Sequence, residues 1–571
     1  MNIQHLLEDE LSKEFLEITG KDFPALVKPA QRAEFGHYQA NGVMGAAKAL
    51  KRNPRELAQQ LVSNVETHVF DAEIAGPGFI NINLKTRFIA DQLIALRSDP
   101  LLGATRPKPL KIVVDYSSPN LAKEMHIGHL RTTTIGDCIV RILEYLGHDL
   151  IRANHVGDWG AQFGSLLAYM DQLIEKGEAL STELKDLERF YQAASSLFRE
   201  DRDFAEKARN YVVRLQHRDA RCTELWKRFI SESIRHSQAV YERFDITLTN
   251  EDIRAESAYN DDLPIVVEEL AGREGLLVES DGAKCVFLEE FKGKDQKPLP
   301  AIIQKSDGGY PYIATDLAAV RHRTRVLNAD KVLYVVGGEQ KLHLRQLFAV
   351  AQKVGYIRPD QEFKHLPFGM VLKEDGSRFK TRDGADVKLI DVLDEAIERA
   401  FALVSKKNPE LSPSERQKIA HVVGIGAVKY AELSKNRTTD YIFDWDRMLS
   451  FEGNTAPYLQ YSYTRIRSIF RRAGLICPEG ENIEITEEAE VRLGIKILQF
   501  PEAIENCLED YQANVLCGYL YELSGLFNNF YEKCPILGSH NQSSRLILCD
   551  LASQIIKQGL ELLGITTVEQ M

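Results

Sequence analysis

The spacing of apolar residues changes character twice along this chain. Residues 1–106 open with an acidic amphipathic helix pattern, MNIQHLLEDELSKEFL, followed by further helix patterns over Ala46–Leu50 and Glu56–Val62. Short strand-like runs come next in FDAEIAGPGFININL, where Gly76-Pro77-Gly78 marks a tight turn. TRPKP, 105–109, reads as a linker. From 110 onward apolar runs alternate with helical periodicity, which predicts a parallel sheet with helices on both faces. LKIVVDY is a buried strand and SSPN a turn. The helix after it carries Ile135, Cys138, Ile142 and Leu146 on one face. DLIRANHVGDWGAQFG is a second strand with a Gly-rich turn. Residues 170–300 break the alternation with charged helices and a short β-rich piece around LLVESDGAKCVFLEEF, so they read as an insertion. PAIIQKSDGGYPYIATDLAAVRHR and ADKVLYVVGGEQKLHLRQLFAVAQKVG each give a strand feeding a helix. KHLPFGMVL is a last strand, and KEDGSRFKTRDGAD a polar loop before the helix KLIDVLDEAIERAFALV. Beyond about 445 strand signals stop. The predicted architecture is an α+β domain over 1–106, a Rossmann-type α/β domain over 107–445 with its insertion at about 170–300, and an all-α bundle over 446–571.

Composition narrows this picture only a little. At roughly 150 residues per domain, 571 residues fit three or four domains with a sizeable core. There is no basic leader followed by an apolar run, and no apolar stretch long enough to cross a bilayer. The eight cysteines are scattered, without CxxC or a Cys/His cluster, which favours reduced thiols in the cytoplasm and argues against structural zinc. A net charge of −12 speaks against a nucleic-acid partner unless positive patches are local.

Candidate chemistry collects at the carboxyl ends of the predicted strands, where open α/β sheets bind ligands. The stretches are Asp115 to His129, His155 to Gly164, Tyr310 to Asp316 and Gly337 to His343. Ser377-Arg378-Phe379-Lys380-Thr381-Arg382 adds a basic loop after the last strand. His126-Ile127-Gly128-His129 stands where a strand passes into a helix. Free backbone N–H groups and the helix dipole suit a phosphate there, two imidazoles can donate to it, and Gly128 lets a flat base lie against the backbone. The plain alternative is a pair of histidines in an ordinary helix. GxxxxGK[ST] is absent, so a triphosphate has to rest on the HxGH turn and the basic loop. The set fits a nucleoside triphosphate plus a small cationic ligand.

The segments DYSSPNLAKEMHIGHLRTTTIGD, HVGDWGAQFG, AESAY (255–259), YIATD, FKTR, NTAPYLQYSYTRIRSI and LELLGI occur in an order that covers essentially the whole chain. In this the sequence resembles the class I aminoacyl-tRNA synthetases, and among them the arginyl-tRNA synthetases. The resemblance implies ATP-dependent ligation of arginine to its tRNA through an arginyl-adenylate, with release of pyrophosphate and AMP. Arginine's guanidinium needs planar carboxylates. Asp115 and Asp316, expected at two strand ends, hold it together with Tyr312 by this resemblance; alternatively Asp316 caps a helix starting at Leu317. Asn120 and Ser118 are expected at the substrate's α-amino and carboxylate groups. Gln340 either contacts arginine or is a surface amide at a helix start.

His126 and His129 are the expected phosphate donors. The second class signature is degraded here to Ser377-Arg378-Phe379-Lys380-Thr381. Lys123, three residues before His126, is therefore assigned the main cationic role, with Lys380 and Arg382 assisting. Magnesium is expected with ATP and not in a protein cage. The degraded loop also suggests that arginine activation requires bound tRNA.

For the tRNA, Leu459, Tyr463, Ile466 and Phe470 form an apolar stripe at helical spacing, beside Tyr458, Tyr461, Arg465 and Arg472. Stacking and arginine suit unpaired bases. Tyr458, Tyr461, Arg465 and Met571 are the anticodon-side candidates; an amphipathic helix rimmed with tyrosine is the plain reading. Phe35, His37, Tyr38, Gln39 and Asn41 lie in EFGHYQANG, which resembles the family's module for the tRNA D-loop. Other members of the class fit less well. A cysteinyl enzyme needs clustered zinc ligands, and large-aliphatic enzymes need a longer editing insertion. A catalytically dead tRNA binder would not need this set of histidines, lysine and carboxylates, and a free nucleotidyltransferase leaves the C-terminal stripe unexplained. A cytoplasmic monomer is expected.

Overall fold

The computed structural model describes residues 2–65, 67–177, 186–293, 296–373, 375–377, 387–475 and 482–571. The first helix, α1 (Ile3–Thr19), is capped by Asn2, whose side chain accepts the His5 N–H, and stops at Gly20 in the left-handed region. Its Ile3, Leu7, Leu11 and Phe15, four apart, are all buried. Four antiparallel strands follow in the order β1-β2-β4-β3: β1 (Val27–Pro29), β2 (Tyr38–Ala40), β3 (Phe70–Ala75) and β4 (Phe79–Leu84). Helices α2 (Gly42–Leu50), α3 (Pro54–Asn64) and α4 (Thr86–Leu96) complete this module.

The second region is built on a four-stranded parallel sheet in the order β11-β10-β5-β6. Its strands are β5 (Lys111–Asp115), β6 (Asp149–Ala153), β10 (Lys331–Tyr334) and β11 (Glu362–His365). β5 is central, so Ile112, Val113 and Val114 are buried as a continuous apolar run. Helix α5 (His129–Tyr145) packs on β5 and β6. Gly136 makes this close approach possible, since a Cβ there would lie 2.3 Å from the Tyr116 side chain. Val113 joins a core with Leu317, Val320, Leu347 and Val350.

The insertion is mostly helical, with α6 (Ala161–Glu175), α7 (Leu187–Glu200), α8 (Arg202–Gln216) and α9 (Ala220–Arg243) around Phe163, Leu166, Phe190 and Phe229. Helix α10 (Leu263–Ala271) leads to an antiparallel sheet of β7 (Val278–Ser280), β8 (Ala283–Val286) and β9 (Ala301–Gln304). Helices α11 (Tyr312–Arg325) and α12 (Lys341–Val354) flank β10 in sequence.

Three expectations are corrected here. The strand in PAIIQK is not part of the parallel sheet. It is β9, whose alternating burial (Ala301 in, Ile302 out, Ile303 in) is that of a sheet with one wet face. KHLPFGMVL does not form one strand. Pro367 has no N–H for a ladder, so β11 ends at His365, and β12 (Val371–Leu372) pairs separately with a later strand, 441–442. Asp316 neither ends a strand nor caps a helix. Helix α11 begins at Tyr312 after Pro311, which leaves Asp316 one turn inside it.

Among the described residues the elements that follow are helices apart from that short strand: α13 (Leu389–Lys407), α14 (Pro413–Leu433), β13 (Tyr441–Ile442), α15 (Trp445–Met448), α16 (Ala456–Ala473), α17 (Glu488–Leu498), α18 (Phe500–Glu509), α19 (Ala513–Lys533) and α20 (Gln542–Leu562). The chain divides into two compact units, residues 108–406 with 427–448, and residues 1–107 with 407–426 and 449–571. The N-terminal module and the C-terminal bundle thus belong to one unit.

Candidate active site

At the end of β5 the backbone turns through Ser117 and Ser118, both with positive φ (65° and 44°). Such a conformation is strained for residues other than glycine and survives only where the surroundings hold it. Here they do. The Ser117 N–H donates to Thr132 Oγ1, the Ser118 N–H donates to Asn154 Oδ1, and Ser118 Oγ accepts the His155 N–H. Ser118 Oγ also donates to Asp115 Oδ1 at 3.0 Å. Asn120 is exposed, its Oδ1 accepts the Ala122 N–H, and its backbone bridges to Gly157.

The HxGH turn leads into α5 at His129. His126 N–H donates to His129 Nδ1 at 3.1 Å and Gly128 N–H donates to His126 Nδ1 at 3.0 Å; the ring centroids are 4.2 Å apart. His126 Nδ1 accepts, which puts its ring proton on Nε2; His129 Nδ1 also lies 3.3 Å from His126 O, so its tautomer decides which of its nitrogens donates. Burial and the neighbouring His126 push His129 down to about 3, so it stays neutral. A Cβ on residue 128 would lie 2.7 Å from His126 Cε1. A side chain at residue 128 would therefore meet the His126 ring.

Lys123 lies over the Tyr191 ring of α7, 4.6 Å from its centroid. Beside it Glu124 accepts the Leu187 N–H and pairs with Lys388 at 3.2 Å, and Lys388 also reaches Asp186 at 3.0 Å. The Ile127 N–H donates to Val387 O, and the Leu389 N–H to Met125 O. The chain immediately after the basic loop thus runs alongside the HxGH motif. Lys380 and Arg382 lie outside the described residues.

The expected guanidinium ligands separate into two environments. Asp115 is buried and its Oδ2 pairs with Arg323 of α11 at 2.5 Å, so its cationic partner comes from the fold itself. Burial works against the charge on that arginine, but Tyr334, Asp115 and Tyr259 around it outweigh the burial and raise its pKa above the usual value. Asp316 accepts from His343 Nε2 at 2.6 Å and has His155 Nε2 at 3.7 Å. Tyr312, 63% exposed, stands one turn before it on the same helix face. Gln340 is exposed and begins α12, three residues before His343.

Sequence reasoning gave Glu256 no role. Burial, reinforced by Asp316 and Asp158, pushes its carboxyl up to about 8. Asp158 is itself fully buried and accepts from the Ser257 N–H and Oγ at 2.8 and 2.5 Å. Asp316 and Asp158 act on Glu256, and Glu256 acts on Tyr312, while the two histidines at Asp316 are the basic groups of this cluster. AESAY was visible as a motif. Nothing in it revealed that its glutamate faces Asp316, 60 positions on. Among the described residues no group of three histidines, cysteines or carboxylates could hold a metal.

In the other unit, Leu459, Tyr463, Ile466 and Phe470 of α16 are buried as the stripe predicted. Tyr461 is 44% exposed. The Tyr458 hydroxyl accepts from Asn528 Nδ2 at 3.0 Å, and Arg465 donates to Asn528 Oδ1 at 3.1 Å while lying over Tyr531. Met571 is half-buried at the chain's end. On the N-terminal module Phe35, Gln39 and Asn41 are half-buried. His37 Nδ1 accepts the Leu84 N–H and Gln39 Nε2 donates to Asn81 Oδ1 at 2.8 Å.

A parallel sheet with an HxGH turn at a helix N-terminus, and residues 387–389 running beside that turn, fits a class I aminoacyl-tRNA synthetase. The family descriptions agree. "tRNA synthetases class I (R), catalytic domain" matches residues 93–445, "Arginyl tRNA synthetase N terminal domain" residues 1–84, and "DALR anticodon binding domain" residues 459–571. An arginine–tRNA ligase of Hahella chejuensis is 53% identical and one of Chromobacterium violaceum 49%, each over 100% of both chains. The crystal structure of the Plasmodium falciparum arginyl-tRNA synthetase superposes with a TM-score of 0.85 at 30% identity, over 100% of this chain and 99% of that one. The chain belongs to the arginyl-tRNA synthetase family.

Proposed function

We propose that this chain performs the reaction of its family, ATP-dependent ligation of arginine to tRNA, with the Glu256–Asp316 pair as the seat of the guanidinium. The observation that carries this reading is the strained ionisation of Glu256 beside Asp316. Burial and the carboxylates of Asp316 and Asp158 disfavour the charge on Glu256, and a guanidinium seated there offsets that. Tyr312 lies along the same entrance. Asp115 acts at one remove: bound to Arg323 and Ser118, it holds the turn that presents Asn120 to the α-amino group. Gln340 remains a candidate at the rim.

With arginine so placed, its carboxylate attacks the α-phosphorus of ATP and pyrophosphate leaves. The protein supplies position and charge, and little covalent chemistry. His126, and His129 in its Nε2–H tautomer, present donors to the phosphates. Lys123 supplies the mobile cation, resting on Tyr191 until ATP is present, with Lys380 and Arg382 of the basic loop assisting. Magnesium accompanies ATP as its counter-ion. A terminal hydroxyl of the tRNA then attacks the adenylate carbonyl and AMP leaves. Phe35, His37, Gln39 and Asn41 on one module, and Tyr458, Tyr461, Arg465 and Met571 on the other, form the tRNA side.

The reading includes a monomer acting in the cytoplasm; among the described residues no helix is long and apolar enough to cross a membrane. Citrulline, arginine's neutral urea isostere, tests the assignment. Wild-type protein should prefer arginine by at least about 100-fold in calorimetric titration, and Glu256→Gln should lose most of that preference. An undiminished preference in Glu256→Gln would reject it.

A further inference from the structure

Strand β2 with its flanking residues on the N-terminal module, and helix α16 of the bundle, carry most of the two proposed RNA-side sets, and both lie in one compact unit. A buried carboxylate joins the two modules. Glu502 of α18 is 4% exposed, and its Oε1 accepts the Tyr38 hydroxyl at 2.7 Å and the Gln4 backbone N–H at 3.0 Å. The Tyr38 hydroxyl accepts in turn from Gln499 Nε2 at 3.2 Å. Gln4 lies in the first turn of α1, so Glu502 meets the positive end of that helix's dipole. Three residues further along α18, Glu505 Oε2 accepts from Asn2 Nδ2 at 2.6 Å and stands 3.5 Å from His5 Nε2. Among the described residues no lysine or arginine forms an ion pair with Glu502. A buried carboxylate without a counter-ion is costly unless donors satisfy it. Both donors to Glu502 come from the N-terminal module.

Adjacent residues of a strand point to opposite faces. Tyr38 is completely buried against the bundle, and its neighbour Gln39 lies on the other face, opposite Asn81 of β4. Holding Tyr38 therefore holds Gln39. We propose that Glu502 is a positioning residue for tRNA binding, which through Tyr38 sets the β2 face at a defined place relative to Tyr458, Tyr461 and Arg465. The proposal rests on the RNA reading of both faces.

Steady-state charging of a full-length tRNA transcript tests it, with the arginine and ATP KM values and the thermal midpoint measured on the same preparations. Tyr38→Phe removes one hydrogen bond and should raise the tRNA KM by about threefold to tenfold. The kcat and the other two KM values should stay put. Glu502→Leu should do the same or more, whereas Glu502→Gln, which still accepts from Tyr38, should restore a near-normal tRNA KM. The Tyr38→Phe/Gln39→Ala double variant should be no worse than the worse single variant, because both act through one contact. Unchanged tRNA KM in Tyr38→Phe, or effects that multiply in the double variant, would overturn the positioning role. Gln39→Ala distinguishes the two levels. If it leaves the tRNA KM unchanged, the RNA reading of β2 fails and takes the proposal with it. If it raises the KM while Tyr38→Phe does not, only the role of Glu502 fails.

Discussion

Asp115 and Glu256 are two carboxylates withdrawn from solvent in the same unit, and they differ in one respect that decides their use. Asp115 has a full set of partners inside the fold, Arg323 at 2.5 Å and Ser118 at 3.0 Å. Glu256 faces two further carboxylates, and its ionisation is displaced to about 8. A charge balanced within the fold builds scaffold. On the reading proposed above, one left unbalanced is available to a ligand that brings the opposite charge.

The largest effect that could break this contrast lies on the scaffold side. Asp115→Asn leaves Arg323 buried without its counter-charge and should lower stability by about 3–5 kcal/mol, measured by urea denaturation. Normal stability with a raised arginine KM would reverse the roles assigned to the two residues. The cations show the same division. Lys388 is committed to two carboxylates, whereas Lys123 rests on a ring that a phosphate can outbid. Lys123→Ala should therefore lose about 10²–10³ in the rate of activation, close to 3–4 kcal/mol, in pyrophosphate exchange run with tRNA present. Near-normal exchange would remove Lys123 from the mechanism.

A pH series sharpens the comparison further. The folded-state carboxyl of Glu256 is raised from 4.5 to about 8. Its contribution to stability is therefore complete below 4.5 and lost as the pH rises through 8. Guanidinium binding favours the carboxylate, so arginine must displace a proton below pH 8. Affinity for arginine should strengthen by up to about tenfold per unit between pH 6 and 7.5. Glu256→Gln should flatten that slope, and an equal slope in both proteins would show that another group is titrating. The smallest effect extends the contrast to the helical bundle. Tyr463 is buried with its hydroxyl on Glu569 at 2.7 Å, while Tyr461, two residues away, is exposed. Tyr461→Ala should weaken tRNA binding by about 1–3 kcal/mol in filter binding, with little change in thermal midpoint. A lowered midpoint with intact tRNA affinity would make Tyr461 a packing residue.

Much of this molecule was legible in the one-dimensional pattern. The apolar run of β5, the 3.6-residue stripe of α16 and the HxGH turn at the start of α5 depend on neighbours within one element, and local periodicity carries that information. Two strand assignments were not legible, because β9 and the split at Pro367 depend on which partner a short apolar run finds. Pairings across long separations escaped for the same reason. Asp115 and Arg323 are joined over 208 positions, and Tyr38 and Glu502 over 464. The sequence by itself determined which residue types stand at strand ends and on helix faces. Only the tertiary structure decided which of those charges were already neutralised, since a buried carboxylate's role is set by the charges around it and not by its own identity.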